Sequence, residues 1–113
     1  MKLPNGERAV VEDAKVRDYL LSPDHPIGRF KARVFNAVGY RHEGWQRLRD
    51  DLIALAAALD AELAQTSQLG QRWVGTGQLR GPAGLLLPVV TVWLIPSEGA
   101  PPRLITAYPA SAL

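Results

Sequence analysis

The stretch HPIGRFKARVF, His25 to Phe35, places an imidazole, a guanidinium and an ammonium close together in the chain at His25, Arg29 and Lys31. Such a set suits a reaction at an anion whose charge grows in the transition state: the cations hold the charge and an imidazole handles a proton. Pro26 fits the first helical position, where its missing N–H costs nothing, which makes His25 the N-cap. If His25 continues the helical turn, it lies four residues from Arg29 and shares a face with it. A helix start also supplies free N–H groups and partial positive charge, so this end is a seat for phosphate. Lys31 interrupts the pattern. Ile27, Phe30, Val34, Phe35 and Val38 recur at helical spacing and predict one stripe facing a core, with Lys31 inside it. Its stem then has to cross an apolar layer. Either it snorkels to the surface or pairs with a carboxylate, or its ammonium is aimed at a site between the helix and whatever covers it.

Two strand hydroxyls add to this set. Thr91 lies on the side of Trp93 and Thr106 on the side of Tyr108, and neither is needed to fill an apolar strand, although β-propensity alone places threonine in strands. No paired carboxylates, glycine-rich phosphate loop or Ser-His-Asp order is present, which argues against glycosidase, kinase and hydrolase chemistry. Histidine, lysine, arginine and hydroxyls acting without a metal suit a ribonuclease that cyclises its substrate. A base takes the 2′-OH proton, cations hold the charge on the phosphorus oxygens, and an acid protonates the leaving oxygen.

The elements that must position these groups read as helices followed by strands. Asn5-Gly6 marks a turn and Ala9-Val10-Val11 a short strand. Asp13 is placed to cap a short helix with Val16, Tyr19 and Leu20 on one face, ended by Ser22-Pro23. The central helix follows and stops at Gly39. A third helix is predicted from about Gly44 to Leu63, with Trp45, Leu48, Leu52, Leu55, Ala56, Leu59 and Leu63 on one face. Residues 65–70 read as a polar loop. From Gln71 the period becomes two, with Trp73, Gly75, Gly77 and Leu79 on one side. LLLPVVTVWLI, Leu85 to Ile95, is apolar enough to predict a central strand covered on both faces, with an irregular start at Pro88. Residues 103–108 form a last strand. The fold class is therefore α+β: about three N-terminal helices, then an antiparallel sheet of three strands, or four with the N-terminal one, and the central helix packed on it.

Bulk composition sets the frame. At 113 residues the chain is sized for a single domain, residues 1–113, with one core. With 47% hydrophobic and 21% charged residues it is ordinary for a globular protein. No cysteine and only two histidines leave no thiol chemistry and no metal site, and no cofactor is expected. No apolar leader or membrane-length run is present, so a cytoplasmic address without membrane contact is expected. Net charge is only +2, but 10 of the 13 basic residues are arginine. Arg29, Lys31, Arg33, Arg41, Arg47 and Arg49 face the single acid Glu43 between His25 and Arg49, which favours a local anionic ligand or acidic partner. An arginine-rich helix is also, more plainly, a solvated face.

HPIGRFKARVF, GQRWV at Gly70 to Val74, TVWLI at Thr91 to Ile95 and PRLITAYP at Pro102 to Pro109 together resemble a bacterial family, domain of unknown function 6883. Its members occur alone or as the C-terminal tips of filamentous-haemagglutinin-like polymorphic toxins. The resemblance spans nearly the whole chain. It carries over to His25, Gly28, Lys31, Ala32, Phe35, Gly70, Arg72, Trp93, Thr106 and Tyr108. The implied layout is similar to the barnase, colicin and RelE-type ribonucleases, by analogy only. One departure is Val90, where relatives often carry a basic residue. The resulting expectation is a toxin-like, metal-independent ribonuclease, with His25, Lys31 and Thr106 catalytic and Arg29, Arg72, Thr91 and Tyr108 on phosphate or RNA. An acidic antitoxin or immunity protein is the implied partner. The alternative is a non-enzymatic module whose basic helix binds an acidic protein, and neither reading sets an oligomeric state.

Overall fold

The computed structural model describes residues 1–110. Its first regular helix, α1 (Asp13–Lys15), runs directly into a π-helical turn, Val16–Leu20. Val16 and Leu20 are buried, and the wider turn closes with Leu21 N–H donating to the Val16 carbonyl. Asp13 does not cap this helix. Its carboxylate instead accepts from Arg49 at 3.1 Å, because this charged partner is within reach.

Helix α2 (Gly28–Ala37) begins two residues after Pro26, the predicted first helical position, and the turn leading into it is held by His25. His25 Nδ1 accepts from the backbone N–H of Ile27 at 3.1 Å and of Gly28 at 3.0 Å, and the His25 carbonyl accepts from Arg29. These are the bonds of an N-cap residue. Gly39, at φ 105, ends the helix as expected. The buried side of α2 is rotated from the predicted stripe. Gly28, Ala32 and Phe35 face inward, while Ile27 and Phe30 are 59% and 54% exposed. The physical reason is close approach. A Cβ on Gly28 would lie 1.9 Å from the Tyr19 carbonyl oxygen, so the smallest residues of the helix, not its largest, meet the π-helical turn. Gly28→Ala is therefore expected to push α2 off Tyr19 and to cost roughly 1–3 kcal/mol as overpacking. A thermal melt of this variant that matched wild type would contradict the tight contact.

Helix α3 (Trp45–Ala56) buries Leu48, Leu52 and Ala56 and lies over the sheet at the strand formed by Gly70–Arg80. It stops seven residues before the predicted end at Leu63. Residues of the expected helix end and polar loop instead form β1 (Asp60–Ser67), and Leu63 is 48% exposed. DAELAQTS carries no strand alternation; it is held extended by antiparallel pairing with β2 (Gly70–Arg80), and this tertiary pairing overrides its helical spacing. Strands β3 (Leu86–Ile95) and β4 (Arg103–Pro109) complete a four-stranded antiparallel meander in the order β1-β2-β3-β4. The Ala9–Val11 stretch is not a strand of the sheet. It contributes an isolated parallel bridge, Val10 with Arg103.

Strand β3 is central, as its composition predicts. Val89, Thr91, Trp93 and Ile95 are buried on the helix side, but Val90, Val92 and Leu94 on the other side are only half-buried. Both faces are therefore not covered; the outer residues of β3 are shielded by their strand neighbours. A register shift between Val92 and Trp93 inserts an extra residue into β4. This β-bulge lies at Ile105 and Thr106, on the strand nearest α1 and α2.

Candidate functional site

Tyr19 is the centre of the polar cluster. Its phenol oxygen lies 3.2 Å from Thr106 Oγ1 at the β4 bulge. The His25 ring meets the Tyr19 ring edge-on at 4.9 Å between centroids. Two ammonium groups lie over the same ring, Lys31 Nζ at 5.4 Å and Lys15 Nζ at 5.5 Å from its centroid. The groups arrive from separate elements: Lys15 from α1, Tyr19 from the π-helical turn, His25 from the cap of α2, Lys31 from within α2, and Thr106 from the bulge. π-Turns and bulges both re-aim side chains at such places. Lys15, Tyr19, His25 and Thr106, with Glu12 and Ile105, line an open cleft of about 630 Å³.

The electrostatics follow from this packing. Burial alone would push the Tyr19 phenol up, but the Thr106 hydroxyl and the positive charges of Lys31 and Lys15 outweigh it and hold the phenol below the usual tyrosine range. Lys31 is half-buried and, among the described residues, forms no salt bridge; its stem is covered by the helix packing while its charge faces an aromatic ring. His25 uses its Nδ1 lone pair for the two backbone N–H groups, so its proton sits at Nε2. In this arrangement the ring offers Nε2–H as a hydrogen-bond donor. Lys15, which sequence spacing did not single out, supplies the second cation.

Of the residues expected from sequence, His25, Lys31 and Thr106 come together and the other four do not. Thr91 is fully buried, its hydroxyl donating to the Gly75 carbonyl at 3.1 Å and accepting from Trp93 Nε1 at 2.7 Å. With both sides of the hydroxyl engaged inside the core, it has no access to a ligand. Arg72 is exposed on β2, two strands away from β4. Arg29 lies about 160° round α2 from Lys31 by helical geometry, and its guanidinium stands 4.8 Å from the Phe30 ring. Tyr108 is exposed and pairs across the ladder with Val90. A base at position 90 would therefore sit beside Tyr108 and Thr76, outside the lining of the Tyr19 cleft. Among the described residues, no three histidine, aspartate or glutamate side chains group as metal ligands.

The geometry defines an α+β meander protein with a tyrosine–lysine–histidine cleft beside the strand that ends its sheet. The chain belongs to the family of domain of unknown function 6883, whose sequence profile matches residues 2–111. No curated protein matches it. A chain of a contact-dependent growth inhibition toxin–immunity protein complex from Klebsiella pneumoniae 342 has the same fold. The TM-score is 0.66 at 17% identity, with 97% of this chain and 100% of that chain covered.

Proposed function

We propose that this protein is a toxin-like ribonuclease that cleaves RNA without a metal, and that the Tyr19 cleft is its active site. The observation that carries this reading is the Tyr19 phenol bonded to Thr106, with two ammonium groups over its ring that form no salt bridge among the described residues, charges that hold the phenol below the usual tyrosine range. A depressed pKa next to a specific charge in a cleft is a mark of functional sites. In the proposed reaction the Tyr19 phenolate takes the proton of a 2′-OH, and that 2′ oxygen bonds to phosphorus. The P–O5′ bond breaks, and the leaving 5′ oxygen takes a proton from the Lys31 ammonium. His25 Nε2–H and Lys15 hold the charge on the non-bridging oxygens, and Thr106 orients the phenol. His25 thus serves the phosphate as a donor, with the direct proton-transfer role moving to Tyr19.

The fold shared with a chain of a toxin–immunity complex, together with the toxin-tip membership that the family resemblance implies, supports an acidic immunity or antitoxin protein as the partner. The basic run on α2 supplies a surface for it, and this is also the observation behind the second reading, a module that only binds such a protein. Among the described residues no helix is long and apolar enough to cross a membrane. The site of action we infer is the cytoplasm, where RNA is available.

The test is total RNA incubated with purified protein in EDTA. Cleavage is expected to persist, because His25 and Lys15 hold the developing charge and Lys31 protonates the leaving oxygen without a metal, and to leave 2′,3′-cyclic phosphate ends. Loss of cleavage in the chelator, or products lacking the cyclic end, would contradict the proposed chemistry.

A further inference from the structure

The face of α2 that turned outward carries charge as well as apolar surface. Phe30 is 54% exposed and Ile27 59%. The guanidinium of Arg29 stands 4.8 Å from the Phe30 ring centroid and that of Arg33 stands 5.9 Å from it. Neither arginine forms a salt bridge among the described residues. At about 100° per residue the order round the helix is Arg29, Arg33, Phe30, Val34, Ile27 and then Lys31. Lys31 is the residue that reaches Tyr19. An exposed aromatic ring therefore lies between these two guanidinium groups on one side and, on the other, the ammonium that stands over the Tyr19 ring. Nothing in the packing requires this, since the helix is seated by Gly28, Ala32 and Phe35.

We propose that this strip is a binding platform for single-stranded RNA, in which a base stacks on Phe30 while Arg29 and Arg33 hold the neighbouring phosphates, leading the strand into the Tyr19 cleft. It rests on the ribonuclease reading for its purpose but is separable from it in experiment. The occupant follows from the chemistry of the strip. Uncompensated arginines call for a polyanion, and a solvent-facing ring beside them calls for one that also has flat apolar faces, which single-stranded nucleic acid combines and a carboxylate-rich protein surface does not. A single strand is favoured over a duplex because stacking on a side chain needs unstacked bases. Arg29 thus keeps the phosphate-binding role expected from sequence, outside the cleft.

The test measures binding of a short 2′-O-methyl RNA, which has no free 2′-OH and cannot be cleaved by this route, beside inorganic polyphosphate as a probe of charge alone. Phe30→Ala is expected to weaken the oligonucleotide by roughly 5- to 150-fold, the range seen for loss of one base–aromatic stack, and to leave polyphosphate binding unchanged. Phe30→Tyr, which keeps the ring, is expected to retain wild-type affinity. A thermal melt confirms folding, which an exposed side chain should not disturb. Equal oligonucleotide affinity for wild type and Phe30→Ala, or an equal loss for both probes, overturns the platform. Failure of wild type to bind the oligonucleotide at low salt also overturns it and leaves this face to an acidic protein. Because the probe is not cleavable, these outcomes are independent of whether the Tyr19 cleft cuts RNA.

Discussion

Tyr19→Phe is expected to reduce RNA cleavage on the order of 10²- to 10⁴-fold, the usual loss when a general base is removed. The ring, its contact with His25 and the positions of Lys15 and Lys31 are kept, so only the oxygen that bonds Thr106 is lost. The folding cost is about 1 kcal/mol for one partly exposed hydrogen bond. The pH dependence fixes the direction of proton transfer. A base works when deprotonated, and the Lys15 and Lys31 charges together with Thr106 shift this phenol below the usual tyrosine range. Wild-type cleavage should therefore rise with pH and level off before an ordinary tyrosine would titrate, while Tyr19→Phe lacks that rise. A wild-type rate that fell over the same interval would make Tyr19 the acid instead. Full activity in Tyr19→Phe would remove it from the chemistry.

Trp93→Ala should have the largest effect on stability, about 3–5 kcal/mol, because an entire buried indole is replaced by a cavity. Trp93 has no exposed surface, and its Nε1–H donates to Thr91, which in turn donates to the Gly75 carbonyl and so ties β3 to β2. A loss of this size is a large fraction of the 5–15 kcal/mol that holds a typical domain together. Urea denaturation gives the measurement. A midpoint shift corresponding to under about 1 kcal/mol would show that the core is not centred on this residue.

The α2 start was legible in the sequence because proline, histidine and glycine each have narrow local requirements, and the structure meets them with His25 Nδ1 on two backbone N–H groups. The meander was legible for a similar reason: alternation from Trp73 to Leu79 and the β-branched run of β3 are local signals. What failed depended on contacts distant in the chain. Spacing alone placed Leu59 and Leu63 on a helix, but pairing with β2 draws β1 out as a strand. The apolar stripe of α2 was present, yet the side buried is chosen by the close approach of Gly28 to Tyr19, which hydrophobic spacing does not report. Tyr19 read as one member of a short helix's apolar face. Its hydroxyl finds Thr106, 87 residues later, only once β4 has docked. The one local signal was Lys15, four residues earlier, a cation placed to lie over the ring.

Single-turnover cleavage of a short RNA in EDTA by wild type, Lys31→Met and Arg72→Ala tests most directly that the chemistry belongs to the Tyr19 cleft. Lys31 is half-buried and forms no ion pair among the described residues, so methionine should keep or raise stability while removing the charge over Tyr19. Arg72 stands on a strand remote from β4 and serves as the comparison. The expected result is a loss on the order of 10²-fold or more for Lys31→Met and near wild-type rates for Arg72→Ala. Equal rates for all three proteins, or a loss confined to Arg72→Ala, would contradict the assignment of the site.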